Sequence, residues 1–349
     1  MTGRDKVLVV GPSWVGDMVM AQALYKLLRR DDPHVEIHVV APPWSLPVLE
    51  RMPEVARGLE LAVGHGEVGL GRRFKLAREL RAERYTRAIV LPRSAKAALV
   101  PWLARIPRRT GFRGEWRYGL LNDVRPLEAR LDQTVKRFVA LGLPRNAAVP
   151  AVLPAELQPR LRSDPHNLDR LRATHGLTAG GRIAALMPGA EYGPAKRWPA
   201  AHFGALAAAL ASADADVVVL GSAKERAIGD EVVARAANAR VRNLCGATSL
   251  ADVVDLLAAA DVAVSNDSGL LHVAAAAGAP VVAIYGSSSP KFTPPLTATA
   301  AVVSLEIECS PCFARECPLK HLKCLNDLGP ATVLRAVDTL RAGRRSEGR

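Results

Sequence analysis

The stretch Asp261-Val-Ala-Val-Ser-Asn-Asp-Ser-Gly-Leu-Leu-His-Val-Ala-Ala-Ala-Ala-Gly-Ala-Pro-Val-Val-Ala-Ile-Tyr-Gly286 has the pattern of a strand, a polar turn, a helix, a tight turn and a second strand. The helix, Leu270–Ala277, consists of residues small enough to pack closely on a sheet, and Gly278 ends it. Val281–Tyr285 is an apolar run typical of a buried parallel strand. The stretch therefore predicts a βαβ unit.

The polar turn of this unit has the chemistry of a nucleotide-sugar site. Ser268 and Gly269 begin a helix whose first backbone N–H groups lack partners within the helix, and such groups bind phosphate. Asp267 is itself an anion, so it suits sugar hydroxyls better than phosphate. An ordinary crossover with a capped helix is the structural alternative. His272, one turn further on, is as readily a packed histidine as a ligand contact.

A second segment supplies a cation for such a ligand. Leu186–Pro199 is a loop rich in glycine and proline that follows an apolar run and carries Gly189 and Lys196. Open α/β sheets bind ligands at the carboxyl ends of their strands, so Lys196 is a candidate for contact with phosphate. A solvated loop lysine is the structural alternative.

Three motifs together resemble the ADP-heptose:lipopolysaccharide heptosyltransferases of glycosyltransferase family 9. They are Gly11–Gln22, Pro188–Pro199 and Asn266–His272, within a resemblance that covers roughly Val7 to Arg341. It implies a GT-B fold, an α/β architecture of two doubly wound Rossmann-like parallel-sheet domains facing a cleft. It also implies ADP-L-glycero-β-D-manno-heptose as the donor and a lipid A-core glycolipid as the acceptor.

Within that family, the motifs most resemble the enzymes that add the second heptose of the inner core, to heptosyl-Kdo2-lipid A. Enzymes that act on Kdo2-lipid A itself are the nearest alternative. A non-catalytic nucleotide-sugar-binding protein is the alternative from another class.

The amino-terminal glycine turn does not fit two other nucleotide-binding classes. Gly11–Gly16 has P-loop glycine spacing, but Asp17 follows where the lysine of a nucleoside triphosphatase would be required. No G-x-G-x-x-G follows the first predicted strand, which argues against a dinucleotide dehydrogenase. By the resemblance, Asp17 matches the family's catalytic base, and stabilisation of a helix dipole is the structural alternative. We expect direct displacement that inverts the anomeric carbon.

Other candidates rest on their position after strand ends. Glu225 is a candidate for ribose hydroxyls. In the first half of the chain, Arg93, Ser94 and Lys96 are candidates for the phosphates or carboxylates of the acceptor. Structural roles in loops are equally consistent with these positions.

Length and pattern predict two domains. Residues 1–160 would form the acceptor-binding domain with the catalytic base, residues 175–325 the donor-binding domain, and residues 326–349 a helix and basic tail. A proline-rich stretch, Val149–Asp164, would link them. The predicted strands are Val7–Val10, Ile37–Ala41, Ala88–Leu91, Ile183–Met187, Asp216–Leu220, Asp261–Ser265 and Val281–Tyr285.

The charge predicts an anionic partner. The formal net charge is +13, and the 349 residues contain neither a secretory signal nor an apolar run that could span a membrane. We expect a cytoplasmic protein in peripheral contact with the anionic inner membrane. Nucleic acid is the weaker alternative, because no nucleic-acid-binding motif accompanies the charge. Basic residues concentrate at Arg72, Arg73, Lys75, Arg78, Arg81, Arg84 and Arg87, and at Arg105, Arg108, Arg109, Arg113 and Arg117.

Four cysteines cluster near the carboxyl end. Cys309, Cys312, Cys317 and Cys324 have the spacing C-x2-C-x4-C-x6-C, with His321 nearby. The first pair suggests zinc, but the second half lacks the usual close pair. Reduced thiols in a folded loop are therefore the expectation. No metal or other cofactor is expected to be required. ADP-heptose would be the donor substrate of the reaction and not a cofactor.

Overall fold

The computed structural model describes residues 5–64 and 67–347, with side chains up to residue 343. It divides into two compact units, Met1–Pro159 and Arg160–Arg349. Each unit contains a six-stranded parallel sheet with helices around it. The predicted α/β class of two Rossmann-like domains is confirmed for each unit.

The first unit has the strand order β3-β2-β1-β4-β5-β6. In its central strand, the apolar residues Val7–Val10 are buried, as expected for a parallel sheet covered on both faces. The strands are β1 (Lys6–Val10), β2 (Glu36–Ala41), β3 (Val55–Glu60), β4 (Arg87–Val90), β5 (Arg108–Phe112) and β6 (Asp123–Arg125). The helices are α1 (Val15–Asp31), α2 (Leu46–Leu49), α3 (Leu70–Leu80), α4 (Ala95–Leu103) and α5 (Thr134–Gly142).

The second unit has the strand order β12-β11-β10-β7-β8-β9. Its strands are β7 (Arg182–Met187), β8 (Ala215–Val219), β9 (Val241–Asn243), β10 (Ala260–Asn266), β11 (Val281–Tyr285) and β12 (Ala300–Ser304). Its helices are α6 (Pro165–Thr174), α7 (Ala200–Ser212), α8 (Arg226–Ala236), α9 (Leu250–Ala258), α10 (Gly269–Ala277), α11 (Lys323–Asn326) and α12 (Pro330–Glu347).

The second unit extends beyond both predicted limits of the donor domain, residues 175 and 325. Asp164 caps α6 by accepting from the N–H groups of His166 and Asn167. The amide of Asn167 also donates to Asp255 of α9 over 2.7 Å, which fastens α6 to this unit. At the other end, α12 places Val333 in the same apolar core as the strands. Both terminal helices are therefore part of the second unit.

The glycine turn after β1 brings α1 to the carboxyl end of the first sheet. Gly11 donates its N–H to the carbonyl of Val40 on β2 over 2.9 Å. A Cβ at Gly11 would lie 2.6 Å from Cε of Met18 and 3.1 Å from that carbonyl oxygen. A side chain at position 11 would crowd this carbonyl and displace the end of Met18, so Gly11 helps α1 to begin close to the sheet.

Within the described ranges 5–64 and 67–347, no helix combines the length and apolar character needed to cross a bilayer.

Candidate functional site

The loops after β7 and β10 carry the main candidate residues of the second unit. These strands are neighbours in the sheet and run parallel, with Ser265 paired to Met187. Their carboxyl ends therefore lie side by side, where open α/β sheets bind ligands. The loop after β7 carries Gly189 and Lys196, and the turn after β10 carries Asp267.

The two principal candidates form an ion pair. Lys196 Nζ lies 2.5 Å from Oδ2 of Asp267, although the residues are 71 positions apart in sequence. The side chains are 17% and 5% exposed, respectively. A charge-assisted hydrogen bond in such a protected position is stronger than one in water. The alternative of a solvated loop lysine does not describe Lys196.

A buried asparagine holds the lysine loop against β10. Oδ1 of Asn266 accepts from the N–H of Trp198 over 3.0 Å, and its Nδ2 donates to the carbonyl of Pro188 over 2.7 Å. Asn266 is fully buried, so these bonds satisfy groups that water cannot reach. Sequence analysis assigned Asn266 no role separate from its motif, because the partners of this clamp are distant in sequence.

The start of α10 is available to an anion. Ser268 is its N-cap, but the Ser268 side chain makes no capping hydrogen bond, and its hydroxyl lies 3.3 Å from that of Ser265. Ser268 and Gly269 are only partly buried. The first N–H groups of α10 therefore lack the side-chain acceptor that caps many helices, which suits an external phosphate.

His272 is buried beside the ion pair. It is 5% exposed, and no group in the described part of the chain forms a hydrogen bond with its Nδ1. Burial lowers the pKa of His272; the Asp267 carboxylate opposes this shift and Lys196 adds to it. A neutral ring is therefore favoured at pH 7. A satisfied core histidine, the structural alternative, does not fit this unpartnered nitrogen.

Glu225 has a structural role that is visible in the fold. Its Oε2 accepts from both the backbone N–H and the hydroxyl of Ser222, over 2.7 and 2.9 Å, in a capping box. Its Oε1 lies directly over Gly189, where an added Cβ would be only 1.6 Å away. Glu225 is thus at the carboxyl ends of β7 and β8, and its role toward ribose stays a prediction.

Asp17 lies in the first turn of α1, after the glycine turn that follows β1. Its side chain is partly buried. The N-cap of α1, Trp14, makes no side-chain capping bond, so an acidic residue in this turn also stabilises the helix dipole. The position is consistent with both interpretations of Asp17, as a catalytic base and as a carboxylate that stabilises the helix dipole.

Arg93, Ser94 and Lys96 follow β4, as predicted; Arg93 is exposed, and Ser94 and Lys96 are partly buried. Ser94 is the N-cap of α4, and Lys96 Nζ donates to the carbonyl of Glu67 over 3.2 Å. Sequence analysis counted Arg117 only as surface charge, but it is 2% exposed and its Nη1 donates to the carbonyl of Pro92 over 2.5 Å.

Several positively charged side chains influence one another near Arg93. Burial, and then the charge of Arg93, lowers the pKa of Arg117 to about 10. Burial and Arg93 also lower the pKa of Arg137. Three arginines therefore share one region of the first unit. An anionic ligand there would relieve their mutual repulsion.

The four cysteines line one small pocket, together with His321. All five cysteines of the chain are free thiols. Hydrogen bonds from backbone N–H groups, that of Leu322 first, lower the pKa of Cys317, whereas burial raises that of Cys324. No three histidine, cysteine or acidic side chains in the described part of the chain are arranged to hold a metal ion.

Two Rossmann-like units, with a lysine and an uncapped helix start at adjoining strand ends, are typical of proteins that use nucleotide sugars. Comparison with known proteins agrees. The family model for glycosyltransferase family 9 (heptosyltransferase) matches residues 73–323. The chain belongs to this family.

Individual relatives match over most of the chain. Lipopolysaccharide heptosyltransferase 2 of Escherichia coli (strain K12) is 47% identical over 309 residues, which cover 86% of this chain and 88% of the relative. Lipooligosaccharide heptosyltransferase 2 of Haemophilus influenzae is 42% identical over the same shares of each chain. The solved structure of E. coli ADP-heptose lps heptosyltransferase II superimposes with a TM-score of 0.86 at 41% identity, covering 97% of this chain and 99% of that one.

Proposed function

We propose that the protein transfers L-glycero-D-manno-heptose from ADP-heptose to the first heptose of the lipopolysaccharide inner core, on heptosyl-Kdo2-lipid A. The observation that carries the proposal is the Lys196–Asp267 pair beside the uncapped start of α10, in a chain of this family. The relatives that align over 86% of the chain bear the type 2 name, which supports this acceptor over Kdo2-lipid A.

Binding of the donor would replace the ion pair between Lys196 and Asp267 by contacts of each residue with the ligand. Lys196 and the first N–H groups of α10 contact the diphosphate, and the phosphate draws the ammonium away from Asp267. The freed carboxylate then accepts hydrogen bonds from heptose hydroxyls. Nδ1 of neutral His272 has no partner among the described residues and accepts a hydrogen bond from a further hydroxyl. Glu225 Oε1 faces Gly189 at the same strand ends and accepts from the ribose.

The transfer step needs a base and a stabilised leaving group. The acceptor hydroxyl oxygen forms a bond to the anomeric carbon while the bond from that carbon to the phosphate oxygen breaks. The hydroxyl proton passes to the carboxylate of Asp17, and ADP departs with the bonding electrons. Lys196 and the α10 N–H groups stabilise the charge that develops on ADP in an oxocarbenium-like transition state. These groups supply the stabilisation without a metal ion or other cofactor.

The acceptor would bind the first unit. Arg93, Arg117 and Arg137 share one region, with Lys96 close by in sequence, which suits the phosphates and carboxylates of a core glycolipid. Contact with the cytoplasmic face of the inner membrane follows from the lipid anchor of that acceptor. Exposed Phe74 on α3, a helix packed against α4, lies among basic residues and suits such a surface.

The acceptor assignment is tested by offering ADP-heptose with two acceptors in the presence of EDTA and detecting products by mass spectrometry. The proposal predicts transfer to the acceptor that carries one heptose. Preference for the heptose-free acceptor would instead assign the type I reaction. Binding of ADP-heptose with no transfer to either acceptor would favour the non-catalytic alternative, and dependence on an added metal would contradict the metal-free mechanism.

A further inference from the structure

Two loops of the second unit are joined next to Lys196, and one of them comes from the cysteine-rich segment. Arg315 Nε donates to the carbonyl of Tyr192 over 2.7 Å, and Tyr192 Oη donates to the carbonyl of Phe313 over 2.9 Å. The N–H of Ala195 donates to the carbonyl of Arg315 over 3.0 Å. These three bonds join segments more than 115 residues apart, from Tyr192–Ala195 and Phe313–Arg315.

The ring of Tyr192 lies close to two cations. Lys196 Nζ is 5.0 Å from the ring centroid, and the guanidinium carbon of Arg315 is 5.4 Å from it. Cations within about 6 Å of an aromatic centroid are attracted to the ring face. The ammonium of Lys196 is therefore held by the carboxylate of Asp267 and by this ring.

The two loops approach each other too closely for any side chain at position 193. A Cβ at Gly193 would lie 2.3 Å from the carbonyl oxygen of Arg315. Any other residue would force the loops apart. Gly193 thus permits the hydrogen bond between Ala195 and Arg315. Ala195 directly precedes Lys196 in the chain.

The cysteine-rich segment is itself fastened to the sheet. Ser310 Oγ donates to the carbonyl of Gly286 over 2.6 Å, and the N–H of Phe313 donates to the carbonyl of Ser287 over 2.6 Å. Gly286 and Ser287 directly follow β11. Residues 310–315 therefore connect the end of β11 to the loop that carries Lys196.

We propose that Tyr192 and Arg315 are positioning residues for Lys196 in the transfer reaction. This inference rests on the proposed contact of Lys196 with the donor diphosphate. A lysine side chain loses much rotamer freedom when it must occupy one position. The ring and the joined loops impose that position before the donor binds, so charge stabilisation at the leaving group needs less rearrangement.

The test measures kcat and KM for ADP-heptose at saturating acceptor. Tyr192→Leu, which removes the ring, should lower kcat/KM for the donor about tenfold. Tyr192→Phe keeps the ring and loses one hydrogen bond, so a loss of about threefold is expected. Arg315→Ala should also lower kcat/KM, and it keeps the test decisive if Tyr192→Leu fails to fold. The KM for the acceptor should not change.

Arg240→Ala is the matched control, because Arg240 pairs with Asp214 on the surface of the same unit, away from the loops that carry Lys196. Its kcat/KM should equal that of the wild type. Wild-type kinetics in both Tyr192→Leu and Arg315→Ala would overturn the inference.

A double-mutant cycle separates positioning from a merely structural role. Tyr192→Leu is combined with Lys196→Met, and a residue that acts through Lys196 should cause no further loss once Lys196 is absent. Additive losses would overturn the positioning role while leaving the donor role of Lys196 intact. Wild-type kcat/KM in Lys196→Met alone would contradict the donor role itself, and the positioning inference would fall with it.

Discussion

The ion pair joins two residues that the sequence suggested for different parts of the donor. Lys196 was the candidate for the diphosphate, and Asp267 was the candidate for the sugar hydroxyls. The two groups neutralise each other, with Nζ and Oδ2 2.5 Å apart. A phosphate that takes the lysine leaves a nearly buried carboxylate, which is costly unless new hydrogen bonds satisfy it. Heptose hydroxyls can supply those bonds. Binding of the diphosphate and of the sugar would therefore support each other.

Replacing Asp267 by Asn should separate binding of the diphosphate from binding of the sugar. The amide keeps the shape but not the charge, so Lys196 becomes more available to phosphate. Affinity for ADP should stay the same or rise, whereas affinity for ADP-heptose should fall about tenfold as hydrogen bonds to the charged acceptor are lost. Isothermal titration with both ligands measures the two effects. An equal loss for both would show that Asp267 does not distinguish the sugar.

His272 should make the fold sensitive to acid. Its pKa in the folded protein is lowered, so below the ordinary value near 6.5 the unfolded chain binds more protons than the folded one. Stability from a neutral His272 is thus present above about pH 6.5 and is lost as the pH falls.

Substitution His272→Asn should remove part of that acid sensitivity. The fall in Tm between pH 7 and pH 5 should be smaller in the variant than in the wild type. Burial also lowers the pKa of His38 and His202, so some fall in Tm should remain. Parallel Tm curves for the two proteins would show that His272 does not titrate in this way.

At the scale of elements, buried strands were the easiest to predict. The predicted Val7–Val10 and Val281–Tyr285 correspond to β1 (Lys6–Val10) and β11, because continuous apolar runs have few other uses in such a fold. Five strands were not predicted: β5 and the four edge strands β3, β6, β9 and β12. β3 is mostly exposed and contains Arg57 and Gly58, and β6 has three residues. Such strands carry little apolar signal.

The site was predictable only in part, for a similar reason. Lys196 and Asp267 stand out as charged residues at the ends of apolar runs. The clamp made by Asn266 and the contact between Tyr192 and Arg315 join residues from 68 to 123 positions apart. No local pattern marks such pairs, because the fold alone brings them together.

Gly189 should be essential to the loop after β7. In Gly189→Ala, the new Cβ would lie 1.6 Å from Glu225 Oε1, so the glutamate must leave its capping box with Ser222. We expect a loss of stability of about 1 kcal/mol or more and weaker donor binding. Thermal denaturation and titration with ADP-heptose measure both.

Two further variants make that test specific. Gly189→Ala combined with Glu225→Ala removes the clash, so this double variant should be more stable than Gly189→Ala alone, while its donor affinity stays low because the ribose contact of Glu225 is absent. Gly71→Ala on α3 is the control, since a Cβ there meets nothing within 4 Å. It should leave donor binding unchanged and raise stability by about 0.5–1 kcal/mol. A wild-type result for Gly189→Ala would contradict the close approach of Glu225.

At the scale of the whole molecule, a formal charge of +13 favours an anionic partner. The first unit also exposes large apolar side chains, with Phe74 55%, Trp102 44% and Trp116 91% exposed. Aromatic residues beside basic ones suit the boundary between lipid headgroups and acyl chains. The sequence predicted the charge, but it could not predict which aromatic side chains remain exposed.

Sedimentation with vesicles tests this surface. The protein should sediment with vesicles that contain anionic lipid, and binding should weaken as salt rises. Replacing Phe74, Trp102 and Trp116 by Ser should reduce binding to these vesicles, while kcat with a water-soluble, deacylated acceptor should be retained. Equal binding to vesicles of neutral lipid alone would contradict an electrostatic contribution.

The central claim assigns donor binding to Lys196 and proton removal to Asp17. The most direct measurement pairs titration of ADP-heptose with a transfer assay on Asp17→Asn and Lys196→Met. Asp17→Asn should bind the donor with wild-type affinity and lose transfer by about 100-fold or more. Lys196→Met should weaken donor binding by about tenfold or more. Wild-type transfer by Asp17→Asn, or wild-type donor affinity in Lys196→Met, would contradict the account.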